Sequence, residues 1–329
     1  MRAWLERVWY GRAAGALLLL PLAWLYGALV ALRRFAYRRG LLTVQQLPRP
    51  VLVIGNLTVG GSGKTPLAAW LARALAAQGL RVGIVSRGYG GSTRGPLRVV
   101  AQTDPAQAGD EPVLLARHSG ATVVVARDRV AAARLLVPEV DVILADDGLQ
   151  HYRLHRDVEI VVVDGVRRYG NGRLLPAGPL REPRRRAAEA QLVVVNGGTA
   201  GPGEIAMRLE PGAVVSFAGG ERRPLAAFAG RRVHAVAGIG DPGRFFATLR
   251  AAGLEPVEHP FPDHATLTAA DIGFDDDLPV LMTEKDAVKC TGFATARHAW
   301  LEVEAAFSAE DGAQIVELVL DSLWRRPRH

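Results

Sequence analysis

The stretch Val51-Leu52-Val53-Ile54-Gly55-Asn56-Leu57-Thr58-Val59-Gly60-Gly61-Ser62-Gly63-Lys64-Thr65-Pro66 constrains this chain more than any other. Four consecutive apolar residues, 51–54, read as a strand buried on both faces. A glycine-rich turn follows, and from Leu67 to Leu75 the sequence continues in an apolar helical pattern. Strand, glycine turn, Lys64-Thr65 and helix together make a phosphate-binding P-loop. Its backbone N–H groups and the helix N-terminus cradle phosphates, and its lysine reaches the β and γ oxygens. The nucleotide-binding residues expected are Thr58, Val59, Gly60, Gly61, Ser62, Gly63, Lys64 and Thr65, with the Thr65 hydroxyl offered to Mg²⁺. The usual pattern has a glycine where Thr58 stands, and Gly60 and Gly61 keep the turn pliable.

The 329 residues suffice for two domains or one large one. A single cysteine, Cys290, excludes an internal disulfide framework and fits a reducing compartment. Net charge of +7 and a pI near 10.0 favour anionic partners. Aromatic residues are 6% and no nucleic-acid-binding motif is present, so phosphorylated substrates or an acidic membrane face are preferred over nucleic acid. Of the 40 Lys and Arg residues only Lys64, Lys285 and Lys289 are lysines. Lysine is a compact point charge that the planar arginine fork does not reproduce, so each lysine is flagged for function.

Residues 13–32 carry no charge and are about long enough to cross a bilayer core. Arg2, Arg7 and Arg12 precede them; Arg33, Arg34, Arg38 and Arg39 follow, with Trp4, Trp9, Tyr10, Trp24, Tyr26 and Tyr37 suited to the headgroup level. The segment reads as membrane-associated, spanning once or lying in the interface, with a buried helix of the soluble body as the alternative.

After the P-loop helix, residues 81–85 read as a strand that runs into the polar loop Ser86-Arg87-Gly88-Tyr89. Loops at such strand ends line the ligand crevice of open α/β sheets. Gly109-Asp110-Glu111-Pro112 starts a helix, with Asp110 expected at the N-cap. Residues 140–145 form a hydrophobic strand ending in Asp146-Asp147, the pattern by which a P-loop enzyme holds Mg²⁺. Adjacent carboxylates at a strand tip face different directions, so one can serve the metal and the other a different role. Further strands fall at 157–164 and 191–196, separated by the Pro- and Gly-shaped segment 171–183. Arg184-Arg185-Arg186 reads as a solvated helix face. Asn196 is followed by Gly197-Gly198 and not by the lysine and aspartate of a guanine-reading loop, which disfavours a GTPase.

Composition turns Gly- and Pro-rich between 200 and 230, which suggests a domain boundary. A second α/β pattern begins at 232–240, and Asp241-Pro242 opens its helix. The expected fold is α/β: a P-loop NTPase-like core with a mostly parallel sheet at 41–225, a smaller C-terminal α/β domain at 226–329, and a membrane-associated helix at 1–40. On residues alone, three functions stay open: a kinase acting on a membrane lipid, an ATPase with a conformational output, and another small-molecule kinase or ligase.

Seven ordered motifs together resemble the tetraacyldisaccharide 4′-kinases of lipid A biosynthesis over nearly the whole length. They are the 55–66 loop, Ser86 to Tyr89, Gly109 to Pro112, Asp146-Asp147-Gly148-Leu149-Gln150-His151, Leu175 to Glu182, Phe261-Pro262-Asp263-His264 and Thr283 to Lys289. The resemblance accounts for Thr58, which belongs to that family's loop. It implies transfer of the ATP γ-phosphate to the 4′-hydroxyl of a tetraacylated glucosamine disaccharide 1-phosphate, at the cytoplasmic face of the bacterial inner membrane. It also implies that Asp110 is the catalytic base paired with His264, with Lys64 and Asp147 completing the catalytic set. Thr65, Asp146 and Asp147 form the Mg²⁺ group, and Arg87, Tyr89, Arg127, Arg181 and Glu182 correspond to substrate- or phosphate-binding cleft residues. Ala265 stands where that family often carries a second histidine.

Overall fold

The computed structural model describes residues 2–11 and 14–324; Arg12 and Ala13 of the apolar N-terminal stretch, with residues 1 and 325–329, lie outside the described residues. Helices α1 (Arg2–Tyr10) and α2 (Leu20–Arg38) precede β1 (Val51–Gly55), α3 (Lys64–Ala77), β2 (Val82–Ser86) and β3 (Leu97–Val99). Next come α4 (Pro105–Ala108), α5 (Asp110–His118), β4 (Thr122–Val125), α6 (Arg129–Leu136), β5 (Val142–Asp146), β6 (Val158–Asp164), β7 (Leu192–Asn196) and β8 (Ile205–Ser216). The described chain ends with β9 (Arg222–Pro224), β10 (Arg232–Ala237), α7 (Pro242–Ala251), β11 (Glu255–Pro260), α8 (Ala269–Ile272), β12 (Val280–Thr283), α9 (Glu284–Cys290), β13 (His298–Ala306) and α10 (Ala309–Trp324).

The strands form one sheet in the order β11-β10-β12-β13-β8-β7-β6-β1-β5-β2-β4-β3, with β9 paired to β8. β1 lies between β5 and β6, parallel to both, and all five of its residues are buried. A strand covered on both faces has no polar side to alternate with, which is why 51–54 reads as an unbroken apolar run. α3 lays Leu67, Ala68, Leu71, Ala72 and Leu75 against the sheet. Each fully buried leucine contributes about 1.5–3 kcal/mol relative to exposure, so the P-loop is anchored at both ends by core.

The Gly- and Pro-rich region at 200–230 is not a linker. It contains β8, whose first residues run parallel to β7 and whose remainder runs antiparallel to β13. One strand thereby joins the two halves of the molecule into a continuous sheet. Pro211 sits opposite Val303, where the register with β13 shifts; irregular pairing tolerates a residue with no N–H to donate.

Two local expectations are corrected. Asp110 is the first residue of α5 and not its N-cap; Gly109 takes the cap position at φ 88°. A side chain at Gly109 would put its Cβ 2.4 Å from the carbonyl oxygen of Tyr89. The Ser86–Tyr89 loop and the start of α5 therefore meet backbone to backbone, which demands glycine there on two counts. The arginine triplet at 184–186 is not uniformly solvated either. Arg186 is buried and its NH2 donates to both carboxylate oxygens of Glu159 at 2.5 Å.

At the N-terminus, α2 has two faces. Ala23, Tyr26, Val30, Arg34 and Tyr37 turn toward the body: Tyr26 Oη donates to the Arg181 carbonyl at 3.0 Å and Arg34 pairs with Glu189 at 2.6 Å. Leu22, Leu25, Leu29 and Leu32 are exposed, as is Leu18 in the turn before the helix. Among the described residues, no helix is long and apolar enough to cross a membrane.

Candidate active site

The P-loop leaves β1 at the centre of the sheet and enters α3 through Gly63, whose φ is 90°. A Cβ there would lie 2.5 Å from the Asn196 side-chain nitrogen, which donates to the Ser62 carbonyl at 3.0 Å. The other flank is held by the 175–182 segment. Thr58 bridges Leu180, Val59 N donates to Pro179 at 2.9 Å, and Arg181 N donates to Leu57 at 2.7 Å. From the C-terminal half, Gly240 comes up to Gly61: a Cβ on it would be 3.3 Å from the Gly61 nitrogen. The loop is thus fixed from three sides.

The two aspartates after β5 diverge. Asp146 is 1% exposed; its Oδ2 accepts from Ser86 Oγ at 3.4 Å, while Oδ1 is buried without a hydrogen bond among the described residues. Burial first, then the negative charges of Glu111 and Asp147, push its pKa up to about 7. Asp147 turns out of the strand at φ 48°. Burial opposes its charge, but Lys64 at 3.6 Å, Arg181 at 3.1 Å and Arg129 outweigh that and hold the carboxyl far below the usual range. An orphaned carboxylate oxygen, repelled by two neighbouring carboxylates and close to the P-loop, fits a divalent cation. Oxygen donors of this kind suit Mg²⁺. Thr65 is half-buried in the first turn of α3.

The second cluster comes from both halves of the protein. His264 Nδ1 lies 3.2 Å from Asp110 Oδ2, and Lys285, at the start of α9, lies within 3.2 Å of Glu111, Asp263 and the Nε2 of His264. Burial works against the Asp110 charge, yet its hydrogen bond to His264 and the charges of Lys285, His264 and Lys289 pull its pKa below the ordinary value. The hydrogen bond to Asp110 moves His264 up, against burial and the Lys285 charge. His264 holds φ 61°, and it and Asp147 are two of the three non-glycine residues with positive φ among those described. Left-handed backbone at a non-glycine residue persists only where surroundings enforce it.

A cleft of about 380 Å³ takes Asp147 from the first group and Glu111 from the second, and is further lined by Ser86, Arg87, Tyr89, Gln150, Tyr152, Arg181 and Glu182 together with Tyr26, Val30 and Arg33 of α2. The contribution of α2 to its wall went unread in the sequence. Arg87 is exposed at its edge and Tyr89 meets the His264 ring edge-on at 5.0 Å between centroids. Glu182 is almost wholly buried, accepting from the Tyr152 hydroxyl at 2.6 Å with Arg186 Nε 3.6 Å away, so it braces the wall more than it faces the cleft. Arg127 is exposed on the loop before α6. From this segment it is Arg129, buried, that reaches Asp147: its Nη2 donates to the Asp147 carbonyl at 2.7 Å. Its only sequence signal was its closeness to Arg127. A larger groove, near 790 Å³, lies along the C-terminal half of α3 against α10, away from the P-loop end.

Comparison with known proteins agrees along the chain. Residues 15–323 match the family described as tetraacyldisaccharide-1-P 4′-kinase. A tetraacyldisaccharide 4′-kinase of Alkalilimnicola ehrlichii is 55% identical over 87% of each chain. One from an Azoarcus species is 52% identical, over 96% of this chain and 94% of its own. The crystal structure of LpxK from Aquifex aeolicus in complex with ATP superposes with a TM-score of 0.78 at 30% identity, covering 94% of this chain and 99% of that one.

Proposed function

The chain belongs to the tetraacyldisaccharide-1-P 4′-kinase family: it transfers the γ-phosphate of ATP to the 4′-hydroxyl of a tetraacyldisaccharide 1-phosphate, and we propose that Asp110 is the base for that transfer. The product is the 1,4′-bisphosphate precursor of lipid A. The observation that carries the assignment of roles is the 3.2 Å approach of His264 Nδ1 to the Asp110 carboxylate, with Glu111, next to Asp110, and Asp147, 3.6 Å from Lys64, on the wall of one cleft.

A sugar hydroxyl is a weak nucleophile, and a carboxylate placed on its proton raises its reactivity as the new bond forms. Asp110 takes that proton while the hydroxyl oxygen bonds to the γ-phosphorus; the β–γ bridging bond breaks and its electron pair leaves on ADP. His264 Nδ1 donates to Asp110 and holds its orientation. Lys64, Arg181 and the P-loop N–H groups stabilise the charge spread over the transferring phosphoryl oxygens. Thr65, Asp146 and Asp147 would hold Mg²⁺, which when bound neutralises the same oxygens. Arg87, Tyr89 and Arg181 form the substrate side, with the arginines suited to bidentate contact with phosphate. The 226–329 half closes over the cleft from the side of His264 and Lys285.

The substrate's acyl chains argue for catalysis at the inner membrane's cytoplasmic surface, since each CH₂ drawn out of lipid costs about 0.8 kcal/mol. The exposed leucine face of α2 supports that reading. Purified protein given ATP, Mg²⁺ and the disaccharide-1-phosphate lipid yields a product one phosphate heavier by mass spectrometry. ATP turnover indifferent to added lipid would count against it.

A further inference from the structure

Three lysines occur in the chain, and the reaction scheme leaves Lys285 and Lys289 without a role; of these two, Lys285 is the one in contact with His264. It is buried to 15% exposure of its side chain. Its ammonium carries three N–H donors and no acceptor. Three neighbours stand at hydrogen-bond distance: Glu111 Oε1 at 3.2 Å, Asp263 Oδ1 at 3.1 Å and His264 Nε2 at 3.2 Å. A donor facing Nε2 requires that nitrogen to carry its lone pair. The imidazole proton then resides on Nδ1, which is the nitrogen 3.2 Å from Asp110 Oδ2.

From this geometry we propose that Lys285 is a positioning residue that fixes His264 as the neutral tautomer protonated on Nδ1, and so aims an N–H at the Asp110 carboxylate. The proposal rests on the reading of Asp110 as base and His264 as its partner. Without the lysine, Nε2 is free to take a proton, and the ring either exchanges tautomer and turns a bare lone pair to Asp110 or becomes imidazolium.

The surroundings keep the lysine charged. Burial opposes its charge, but Glu111, Asp110 and Asp263 more than offset burial and raise its pKa above the ordinary value. The groups acting on His264 are Asp110 from α5, Lys285 from α9 and Asp263 from its own loop, with the Tyr89 ring against its edge; Lys289 of α9 acts on Asp110. Among these Lys285 is the cation in contact with Nε2, so its removal favours the imidazolium and raises the pH below which the pair is protonated. Lys285 belongs to the C-terminal half and Glu111 to the P-loop half, so the same contact ties the tautomer to closure of the two halves.

The test uses full-length protein with ¹⁵N-labelled histidine, the His264 resonances being assigned with His264→Gln. Wild-type protein should show His264 in the Nδ1–H form near neutral pH. Lys285→Met should lose that preference, lower kcat by about 10–100-fold with the KM for ATP within about threefold, and move the acidic limb of the kcat profile to higher pH. Lys285→Gln, which keeps a donor but no charge, should retain the Nδ1–H form. An Nε2–H tautomer in the wild type overturns the proposal whether or not either variant folds. So does a Lys285→Met enzyme with wild-type tautomer and pH profile. Asp110→Asn separates the two claims: full activity in that variant removes the base assignment itself, whereas an inactive Asp110→Asn beside an unaltered Lys285→Met removes only the role of the lysine.

Discussion

His264 and Asp110 lie 154 positions apart in sequence, and no spacing rule joins them. Each alone had an unremarkable reading, as a structural histidine and as a residue at a helix start. Their pairing was reachable from sequence only through the family resemblance; the 3.2 Å contact and the positive φ of His264 now give it a physical basis. The aspartates after β5 were more legible, because a hydrophobic strand running into acid beside a P-loop is the arrangement that holds a nucleotide's metal ion. Arg129 was not, and Lys285 was flagged by residue type without a role, since burial against a partner from a distant segment leaves no periodic trace. Asp110→Ala and His264→Ala should each lower kcat by about 10²–10⁴. Both should bind ATP within a few-fold of wild type, measured by equilibrium titration, because the P-loop contacts are untouched. Unchanged kcat would return both residues to structural roles.

Among elements, α5 carries the most consequence for its length. Its start is set by the Gly109–Tyr89 backbone approach and its end by His118, whose Nε2 lies 2.5 Å from Glu284 Oε1 at the start of α9. Lys285 then grips Glu111 at the other end, so neighbouring α9 residues pin both ends of the helix that presents Asp110. The sequence revealed α5 through Asp110 and Pro112, but not this clamp, because an ion pair between helices 166 residues apart is a product of tertiary packing. The hydrogen bond to Glu284 raises the His118 pKa against burial. A raised folded-state value means stability that is fully present below the unfolded value of about 6.5 and is lost as pH rises through the folded one. His118→Ala should therefore destabilise by about 1 kcal/mol more near pH 6 than at pH 9, read from urea midpoints at the two pH values. An equal loss at both would mean the contact contributes packing alone. Gly109→Ala should cost about 1–3 kcal/mol at either pH, through strain and backbone collision.

At the scale of the whole molecule, α2 lends one face to the cleft wall and leaves another exposed. Leu22, Leu25, Leu29 and Leu32 of α2 recur at intervals of three and four, which places them on one helical stripe, and all are exposed. The opposite stripe supplies Tyr26 and Val30 to the cleft wall. A stripe of that size left in water is unfavourable by roughly 1.5–3 kcal/mol for each leucine that could be covered, and the exposed arginines at 33 and 39 would add attraction to an anionic surface. The apolar run at 13–32 was plain in the sequence, but its length alone left spanning open. The observed break between α1 and α2, with α2 docked through Tyr26 and Arg34, favours a helix lying along the bilayer with the cleft opening beside it. Leu25→Glu with Leu29→Glu, neither of which lines the cleft, should reduce co-sedimentation with vesicles containing anionic lipid by at least about tenfold. The same double variant should lose kcat/KM on lipid presented in those vesicles, yet keep its rate on a short-chain acceptor dissolved in water. Equal losses on both acceptors would show that the substitutions had deformed the cleft wall, and undiminished vesicle binding would remove the leucine stripe from membrane contact.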